Sequence, residues 1–381
     1  MRRIGPIIFL IIITLSCCNR NDKPPGIQLI DLTGNLNQES NIFLSDIATD
    51  IEYVPLETSQ GNFLQDVSEF TVSKKYILIY DRRQNKVFLF NRQGGFITKI
   101  GRSGQGPGEF NRPDQVYISK DESVIYILNW KKILKFNPDG EYLETINLDP
   151  GARKMLEWQD GLLLSYPFPA SVDFQGYSFG LFDLDGNLIE RLFPPGISIV
   201  NTDRPRMMYG PYTYQDTLCF FTLDYDTVWG MSRKGEVYPR MVLKMKGEQR
   251  NPYEMADPQD LPTSGFWIVN FRETKDRVFI IGNMGRIMHP LIYNRESHEV
   301  LYAKDQIPND LDGGMRFWPG KIVGNISYKF TYPSHFTYYR EKGSYYEGEV
   351  KFPEKKTALY SMVDNIKEGD NPILVIVTLK D

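Results

Sequence analysis

The sequence predicts an all-β fold, a six-bladed β-propeller in which N- and C-terminal strands close the ring within one blade. Three observations lead to this prediction. A strand pattern recurs along the chain, a Gly-bearing turn lies at the same point of each repeat, and strand-like segments remain at both ends. A recurring unit of several short strands, with a period of about 40–50 residues, is typical of propeller blades.

Five segments carry the repeat. Each contains an apolar strand, a polar turn, a second strand ending in an aromatic residue (Met in one case), a turn with Gly and a third strand. These segments are residues 76–100, 124–146, 161–193, 216–243 and 276–303. The residues before the Gly-bearing turns align as Phe90, Phe136, Phe182, Met231 and Tyr293, with spacings of 46, 46, 49 and 62 residues.

The local sequence supports hairpins and buried sheets. The turn sequences NRQGG, NPDG, DLDG and SRKG place Gly where a tight turn needs a positive φ. Ile77 and Ile79 alternate with Leu78 and Tyr80, so both faces of that strand are apolar, as expected of a sheet packed between two others. Helical periodicity over three turns is not convincing anywhere, so little helix is expected.

The sixth blade must be assembled from separate parts. Residues 320–333 supply its inner strands, residues 371–380 supply a strand at the C-terminus, and residues 51–57 supply a strand near the N-terminus. Pairing the last two closes the ring and removes an open sheet edge. An open sandwich, two smaller β domains and a seven-bladed ring are the alternatives.

The N-terminus has the layout of a secretory signal. Arg2 and Arg3 precede an apolar stretch, Ile4 to Leu15, which is too short for a membrane span of about 20 residues. Its end resembles a lipobox, the signal for bacterial lipoprotein processing, and Cys18 fits this pattern better than Cys17. We therefore expect a lipid on Cys18 (or Cys17), with an unlipidated cleaved signal as the alternative. The predicted division is 1–18 signal and lipobox, 19–30 polar tether and 31–381 propeller.

Charge and cysteine content exclude some functions. The net charge of −4 becomes −6 without Arg2 and Arg3, and the chain has no basic block, which argues against nucleic-acid binding. Beyond Cys17 and Cys18 the chain has a single thiol, Cys219, so no disulfide framework is expected. Its apolar context predicts a small buried side chain rather than a nucleophile.

Four stretches resemble the six-bladed β-propeller lipoproteins of Bacteroidetes-type bacteria, whose blades are similar to NHL repeats. They are IEYVPLET at 51–58, GRSGQGPGEF at 101–110, DLDGGMRFWP at 310–319 and DNPILVIVTLK at 370–380. The resemblance covers the chain from about residue 28 to its end. It implies the propeller fold and an outer-membrane location. It implies no activity, because most members of the family have none established.

The GRSGQGPGEF segment is the most distinctive candidate for a site. A phosphate-binding loop needs Gly-Lys-Ser/Thr at the start of a helix, whereas here Gly106 is followed by Pro107 and a strand. We interpret it as a crossover between blades, on the face where propellers usually bind ligands. A purely structural crossover is the favoured reading, with Arg102, Glu109 and Arg112 as candidate ligand contacts.

Other loops are expected on the same face. They are the long connections 194–215, 244–275 and 304–319 and the loops between second and third strands. Long loops on a rigid scaffold often carry binding sites, and aromatic residues with Arg are typical of binding surfaces. The remaining candidate ligand contacts are Arg82, Trp130, Tyr225, Arg316 and Trp318; Tyr212 and Arg272 also fall in these connections.

No cofactor or metal is expected. DLDGN at 183–187 and DLDGG at 310–314 only faintly resemble calcium loops, and the first aligns with the hairpin turns. The chain has three histidines; His289 and His298 fall on one hairpin and are predicted to be surface or turn residues, too few for a zinc site.

We therefore expect a monomeric, lipid-anchored envelope module that binds a glycan, a peptide or a partner protein. The alternative is a propeller lyase or hydrolase with a carboxylate-based site at the channel mouth. Three or more converging Asp, Glu or His side chains there would favour the enzyme. A surface of aromatic residues and Arg would favour binding.

Overall fold

The structure is a computed structural model, which describes residues 26–32, 34, 39–166, 179–192, 208–222, 227–244, 266–284, 287–304 and 306–381. Within these ranges the chain forms six antiparallel sheets arranged as the blades of a β-propeller. The predicted fold is confirmed.

Each blade has four strands in order from the centre of the ring outward. The first strands of neighbouring blades lie against each other around a central channel. Blades one to three are β3 Glu69–Val72, β4 Tyr76–Asp81, β5 Lys86–Asn91, β6 Phe96–Lys99; β9 Gln115–Ile118, β10 Ile125–Asn129, β11 Lys132–Phe136, β12 Tyr142–Asn147; and β13 Lys154–Trp158, β14 Gly161–Ser165, β15 Phe179–Phe182, β16 Leu188–Leu192. Blades four and five are β17 Met208–Tyr214, β18 Thr217–Thr222, β19 Thr227–Met231, β20 Val237–Lys244; and β21 Phe266–Glu273, β22 Arg277–Met284, β23 Ile287–Asn294, β24 Val300–Tyr302.

Blade six closes the ring as predicted. Its inner three strands are β25 Lys321–Val323, β26 Ile326–Thr331 and β27 Ile373–Leu379, and its outer strand is β2 Ala48–Pro55. β2 pairs antiparallel with β27 from Ala48 opposite Leu379 to Pro55 opposite Ile373. The two ends of the propeller chain thus share one sheet.

The core consists of six clusters of buried apolar side chains, one between each pair of neighbouring blades. Blade one shows why its strands are apolar on both faces. Leu78 and Tyr80 pack against blade two, whereas Ile77 and Ile79 pack against blade six. Each such side chain contributes about 1.5–3 kcal/mol on burial, so the clusters hold the blades together. Cys219 is fully buried, as predicted, and burial raises the pKa of its thiol to about 12.

The third and fourth strands are joined by the predicted tight turns. Gly94 and Gly140 have φ of 89° and 88°, a region that favours glycine, and each donates its N–H to the carbonyl three residues earlier. DLDGN is another turn of this type. Asp183 Oδ1 accepts the backbone N–H groups of Asp185 (3.0 Å) and Asn187 (2.7 Å), so its carboxylate stabilises the turn.

A helical insertion lies between β26 and β27. It contains α2 Pro333–Glu341 and α3 Pro353–Asn365, each with Pro in its first turn. With 13 residues, α3 exceeds three turns, although the sequence shows no convincing helical periodicity of that length, and the expectation of little helix is confirmed. Only Leu359 and Val363 of α3 are buried, and this narrow stripe leaves little helical periodicity in the sequence.

The segment before β2 follows the outside of the ring. Its strand β1 Gln28–Asp31 pairs in parallel with β20, the outer strand of blade four. Ser40 then exchanges hydrogen bonds with Tyr302 of blade five, and the one-turn helix α1 Leu44–Ile47 leads into β2. Residues 28–30, which the sequence assigned to the tether, therefore pair with the sheet of blade four. Ile30 is fully buried there, and its burial stabilises the pairing. The described helices include none that is long and apolar enough to cross a membrane.

Two faces of the ring follow from this topology. The "loop face" carries the connections from each outer strand to the next inner strand, the loops between second and third strands, and the helical insertion. The "turn face" carries the turns between first and second strands and between third and fourth strands.

Candidate ligand-binding face and central channel

The GRSGQGPGEF segment forms a compact crossover on the loop face. Its strands β7 Arg102–Ser103 and β8 Glu109–Phe110 pair in parallel. Arg102 Nε lies 2.6 Å from Glu109 Oε1, and Glu109 Oε2 accepts the Gly106 N–H at 2.8 Å. The Gly106 N–H, followed by Arg102, lowers the pKa of Glu109. Glu109 is thus held as a carboxylate within the loop, while the Arg102 side chain remains 80% exposed.

Two further candidates, Arg82 and Arg112, lie beside this crossover. Both are exposed. The N–H of Arg112, which has a φ of 54°, donates to Asn85 Oδ1 at 2.9 Å, and Asn85 Nδ2 donates to Ser103 Oγ at 2.7 Å. Burial raises the pKa of Tyr80, and the charges of Arg82 and Arg112 oppose this shift, so both guanidinium groups lie near the Tyr80 hydroxyl. Arg82, Arg102 and Arg112 therefore form one arginine patch over blades one and two, in which Arg102 is paired with Glu109 and the carboxylates of Asp81 and Asp114 lie near Arg82 and Arg112.

Trp130 lies at the next blade junction, between blades two and three. The backbone N–H of Trp130 donates to Asp114 Oδ2 at 2.8 Å, and the guanidinium carbon of Arg153 lies 4.3 Å from the centroid of the indole ring. Arg153 is also ion-paired with Asp114. One face of the indole is thus occupied by Arg153, which fixes its orientation.

Arg316 and Trp318 lie apart from this group, on the connection between blades five and six. Arg316 is exposed and donates from Nη1 to the Gln306 carbonyl at 3.0 Å. Trp318 is only 8% exposed, because its ring packs edge-on against Phe279 in the cluster between the two blades. From the sequence, Trp318 was expected to be accessible on the loop face, whereas its side chain is buried between the two blades. Tyr225 lies outside the described residues.

A charged group in the central channel was not anticipated. It comprises Glu69 of blade one, Lys154 of blade three, Arg272 of blade five and Lys321 of blade six, all on inner strands. Lys154 Nζ lies 3.1 Å from Glu69 Oε1 across the channel. Lys321 Nζ donates to the Phe70 carbonyl at 2.8 Å. Arg272 was predicted to lie in a connection, but residues 266–273 form β21 and place it on the channel wall.

The electrostatics of this group are dominated by positive charge. Burial lowers the pKa of Lys321; Glu69 opposes that shift, and the positive charges of Lys154 and Arg272 add to it. Among the described residues of the channel, Lys154 and Lys321 thus interact with the carboxylate of Glu69, and Arg272 adds a third positive charge near Lys321. Such a group can bind an anion through charge-assisted hydrogen bonds.

Tyr212, which the sequence also assigned to a connection, belongs to β17. It donates to Glu273 Oε1 at 2.6 Å, within a buried network between blades four and five that includes Arg240 and Arg295. This network lies toward the turn face, where β17 and β21 end. It therefore stabilises the contact between two blades and does not belong to the loop face.

The second aspartate loop, DLDGG, is used internally. Asp310 accepts the Ser45 N–H and hydroxyl at 2.8 and 2.6 Å, and Asp312 Oδ1 accepts from the Asn309 amide and the Gly314 N–H at 2.7 and 3.0 Å. Across the described ranges, no three His, Cys, Asp or Glu side chains are grouped to hold a metal ion.

The sequence-based prediction was wrong about His289, which was expected to be a surface or turn residue. His289 is a strand residue of β23, 2% exposed, and its ring lies 5.5 Å from that of Tyr302. His298 is exposed with a φ of 59°, in keeping with its predicted position in a turn.

The helical insertion adds aromatic side chains to the loop face that sequence reasoning missed. Tyr338 and Tyr339 of α2 are 52% and 42% exposed, with ring centroids 5.4 Å apart. His335 lies 6.4 Å from the Tyr339 ring. The signal was present as the run YPSHFTYYR, but without a predicted helix it could not be assigned to a surface.

The fold and these sites define a six-bladed β-propeller with a loop-rich face and a basic channel. The model of the family described as "Domain of unknown function (DUF4934)" matches residues 27–378, and the chain belongs to that family. No curated protein matches the sequence.

Solved structures share the fold. A Bacteroides fragilis NCTC 9343 protein that is named as exported aligns with a TM-score of 0.68 and 15% identity, over 93% of this chain and 100% of that one. A member of the DUF4221 family from Bacteroides vulgatus ATCC 8482 aligns with a TM-score of 0.49 and 12% identity, over 89% and 98%. An inactive virginiamycin B lyase from Staphylococcus aureus with quinupristin aligns with a TM-score of 0.42 and 14% identity, over 68% and 76%. The first likeness shows that the two proteins share this fold.

Proposed function

We propose that the protein is a lipid-anchored binding module of the cell envelope whose loop face and channel take an acidic glycan. The observation that carries this proposal is the grouping of three cationic side chains, Lys154, Arg272 and Lys321, with Glu69 among the described residues of the channel. Exposed Tyr338 and Tyr339 add surfaces on which sugar rings stack. The patch of Arg82, Arg102 and Arg112 adds further guanidinium groups over blades one and two.

An enzyme is the weaker candidate. Glycoside cleavage by carboxylates uses a pair of them flanking the bond. In the channel group, however, Glu69 is already paired with Lys154. Of the other carboxylates near the predicted face, Glu109 is bound to Arg102, and Asp114 to Arg153. Carboxylates that are each ion-paired with Lys or Arg favour a binding role over acid–base catalysis.

Neutralising the channel is expected to weaken binding of an acidic glycan. The double variant Lys154→Gln/Arg272→Gln removes two positive charges, each capable of a charge-assisted hydrogen bond, so we expect at least about a tenfold rise in the Kd for oligogalacturonate. Isothermal titration of the full-length protein in detergent, at low and high salt, measures this change.

Lys234→Gln, in an exposed turn of the turn face, is the control and should leave the Kd unchanged. A neutral galacto-oligosaccharide should bind much more weakly than oligogalacturonate. Equal binding of the two sugars, or an unchanged Kd in the double variant, would contradict the proposal. Tighter binding of an oligoglutamate peptide would assign the site to acidic peptides instead.

The envelope location rests on the N-terminal residues and is tested separately. Export is also the property named for the Bacteroides fragilis protein that shares this fold. We expect Cys18→Ser to abolish incorporation of labelled palmitate and to release the protein from the membrane fraction, because the thiol of Cys18 is the proposed lipid attachment point.

Cys17→Ser is the matched control and should still be labelled. Loss of label in Cys17→Ser but not in Cys18→Ser would move the anchor to Cys17. Label in neither the native chain nor the variants would leave an ordinary cleaved signal.

A further inference from the structure

A cavity of about 220 Å³ lies between blades five and six, near the loop-face ends of β22 and β23. Most of its wall is apolar. Its lining includes Ile281, Met288, Pro290, Gln306, Trp318 and Lys329. A cavity of about 150 Å³ lined by apolar side chains holds benzene, so this one has room for a six-membered ring or short alkyl chain with a small polar group.

Among the described residues of that wall, Lys329 is the one that carries a charge. It lies opposite Val375 in the β26–β27 pairing, so both side chains leave the sheet on the same side. Val375 belongs to the apolar cluster that joins blade six to blade five. The lysine therefore faces the apolar cluster between blades five and six, with Ser327 and Thr331 beside it on the same side of β26.

The ammonium group of Lys329 has no compensating charge among the described residues. None of the ion pairs or hydrogen bonds there involves its Nζ. Burial lowers its pKa, and no neighbouring carboxylate counteracts that shift. A partly buried cation without a counter-ion is costly, and an anion that enters the cavity would remove this cost.

We propose that this cavity is a second binding site, which takes a small amphiphilic monocarboxylate with its apolar part between Ile281 and Trp318 and its carboxylate on Lys329. Gln306, at the exposed side of the cavity, supplies a further polar side chain. The site is separate from the channel group, because Trp318 and Lys329 lie between two blades and not on the first strand of a blade, which borders the channel. Its volume admits one small molecule.

The test uses phenylacetate and hexanoate as probes on the full-length protein. We expect saturable binding of at least one of them by isothermal titration, accompanied by a change in tryptophan fluorescence from Trp318. The neutral isosteres phenylacetamide and hexanamide should bind at least about tenfold more weakly, since they cannot form the ion pair. Lys329→Met should lose the discrimination between acid and amide, and Lys329→Arg should retain it.

Lys342→Met is the matched control, because Lys342 is an exposed lysine at the end of α2. It should bind the probes like the native protein. Failure of both acids to bind, equal binding of acids and amides, or native affinity in Lys329→Met would each overturn the proposal.

If Lys329→Met does not fold, a crystal structure of the native protein with 4-bromophenylacetate decides the question. The bromine must then appear between blades five and six; anomalous density elsewhere, or none, overturns the proposal. Oligogalacturonate titrated in the presence of saturating phenylacetate separates this site from the proposed channel site, because each should bind independently of the other.

Discussion

Glu273→Gln is expected to lower the free energy of unfolding by about 3–5 kcal/mol, because it leaves two buried guanidinium groups without their counter-ion. The Glu273 side chain is 1% exposed, and its Oε1 lies 2.5 Å from Arg240 Nη1. Arg295 pairs with the other carboxylate oxygen. Burial by itself lowers the pKa of Arg240, but its bonds to Glu273 outweigh burial and raise it.

This network joins blade four to blade five, so its loss acts on the ring as a whole. Urea unfolding followed by far-ultraviolet circular dichroism measures the change in midpoint. Asp216→Asn is the control, because Asp216 and Arg233 are 74% and 68% exposed and 3.3 Å apart. An exposed pair of this kind contributes at most about 1 kcal/mol. Similar effects of the two substitutions would show that Glu273 does not stabilise the interface.

A chain that ends at Pro372 is expected not to form the ring. It lacks β27, which pairs with β26 on one side and with β2 on the other. Six of the seven side chains of β27 are buried, and their lost burial is worth on the order of 10 kcal/mol. That is comparable to the whole stability of a typical domain, about 5–15 kcal/mol.

The expected result is the loss of a cooperative thermal transition and of near-ultraviolet circular dichroism. A chain that ends at Lys380 removes only the exposed Asp381 and should melt like the full chain. A cooperative transition in the chain ending at Pro372 would mean that five blades are stable without closure.

The sequence repeat predicted the fold because every blade is built from the same succession of apolar strands and tight turns. Alternation of Ile77 and Leu78 and the Gly turns are short-range signals, and they recur at nearly constant spacing. Closure could also be predicted, since unpaired strand segments remained at both ends. The helices could not, because α3 buries only Leu359 and Val363.

The channel group was hidden for a different reason. Glu69 and Lys154 are 85 residues apart, and each stands in its own strand as an ordinary polar residue. Their meeting depends on the radial arrangement of inner strands, which no local pattern encodes. Arg272 and Tyr212 were assigned to connections because the inner strands of blades four and five were taken for loops. Lys329 was visible in the run ISYKFT, but only the blade interface shows that it faces an apolar wall.

The direction of β1 determines which face of the ring the proposed lipid anchor would join. β20 runs from the turn face to the loop face, and β1 runs parallel to it. Gly26 and Ile27, which precede β1, therefore lie at its turn-face end. A lipid on Cys18, as proposed above, would join the ring from that side. The basic channel entrance and the tyrosines of α2 would then point away from the lipid, where large solutes can reach them.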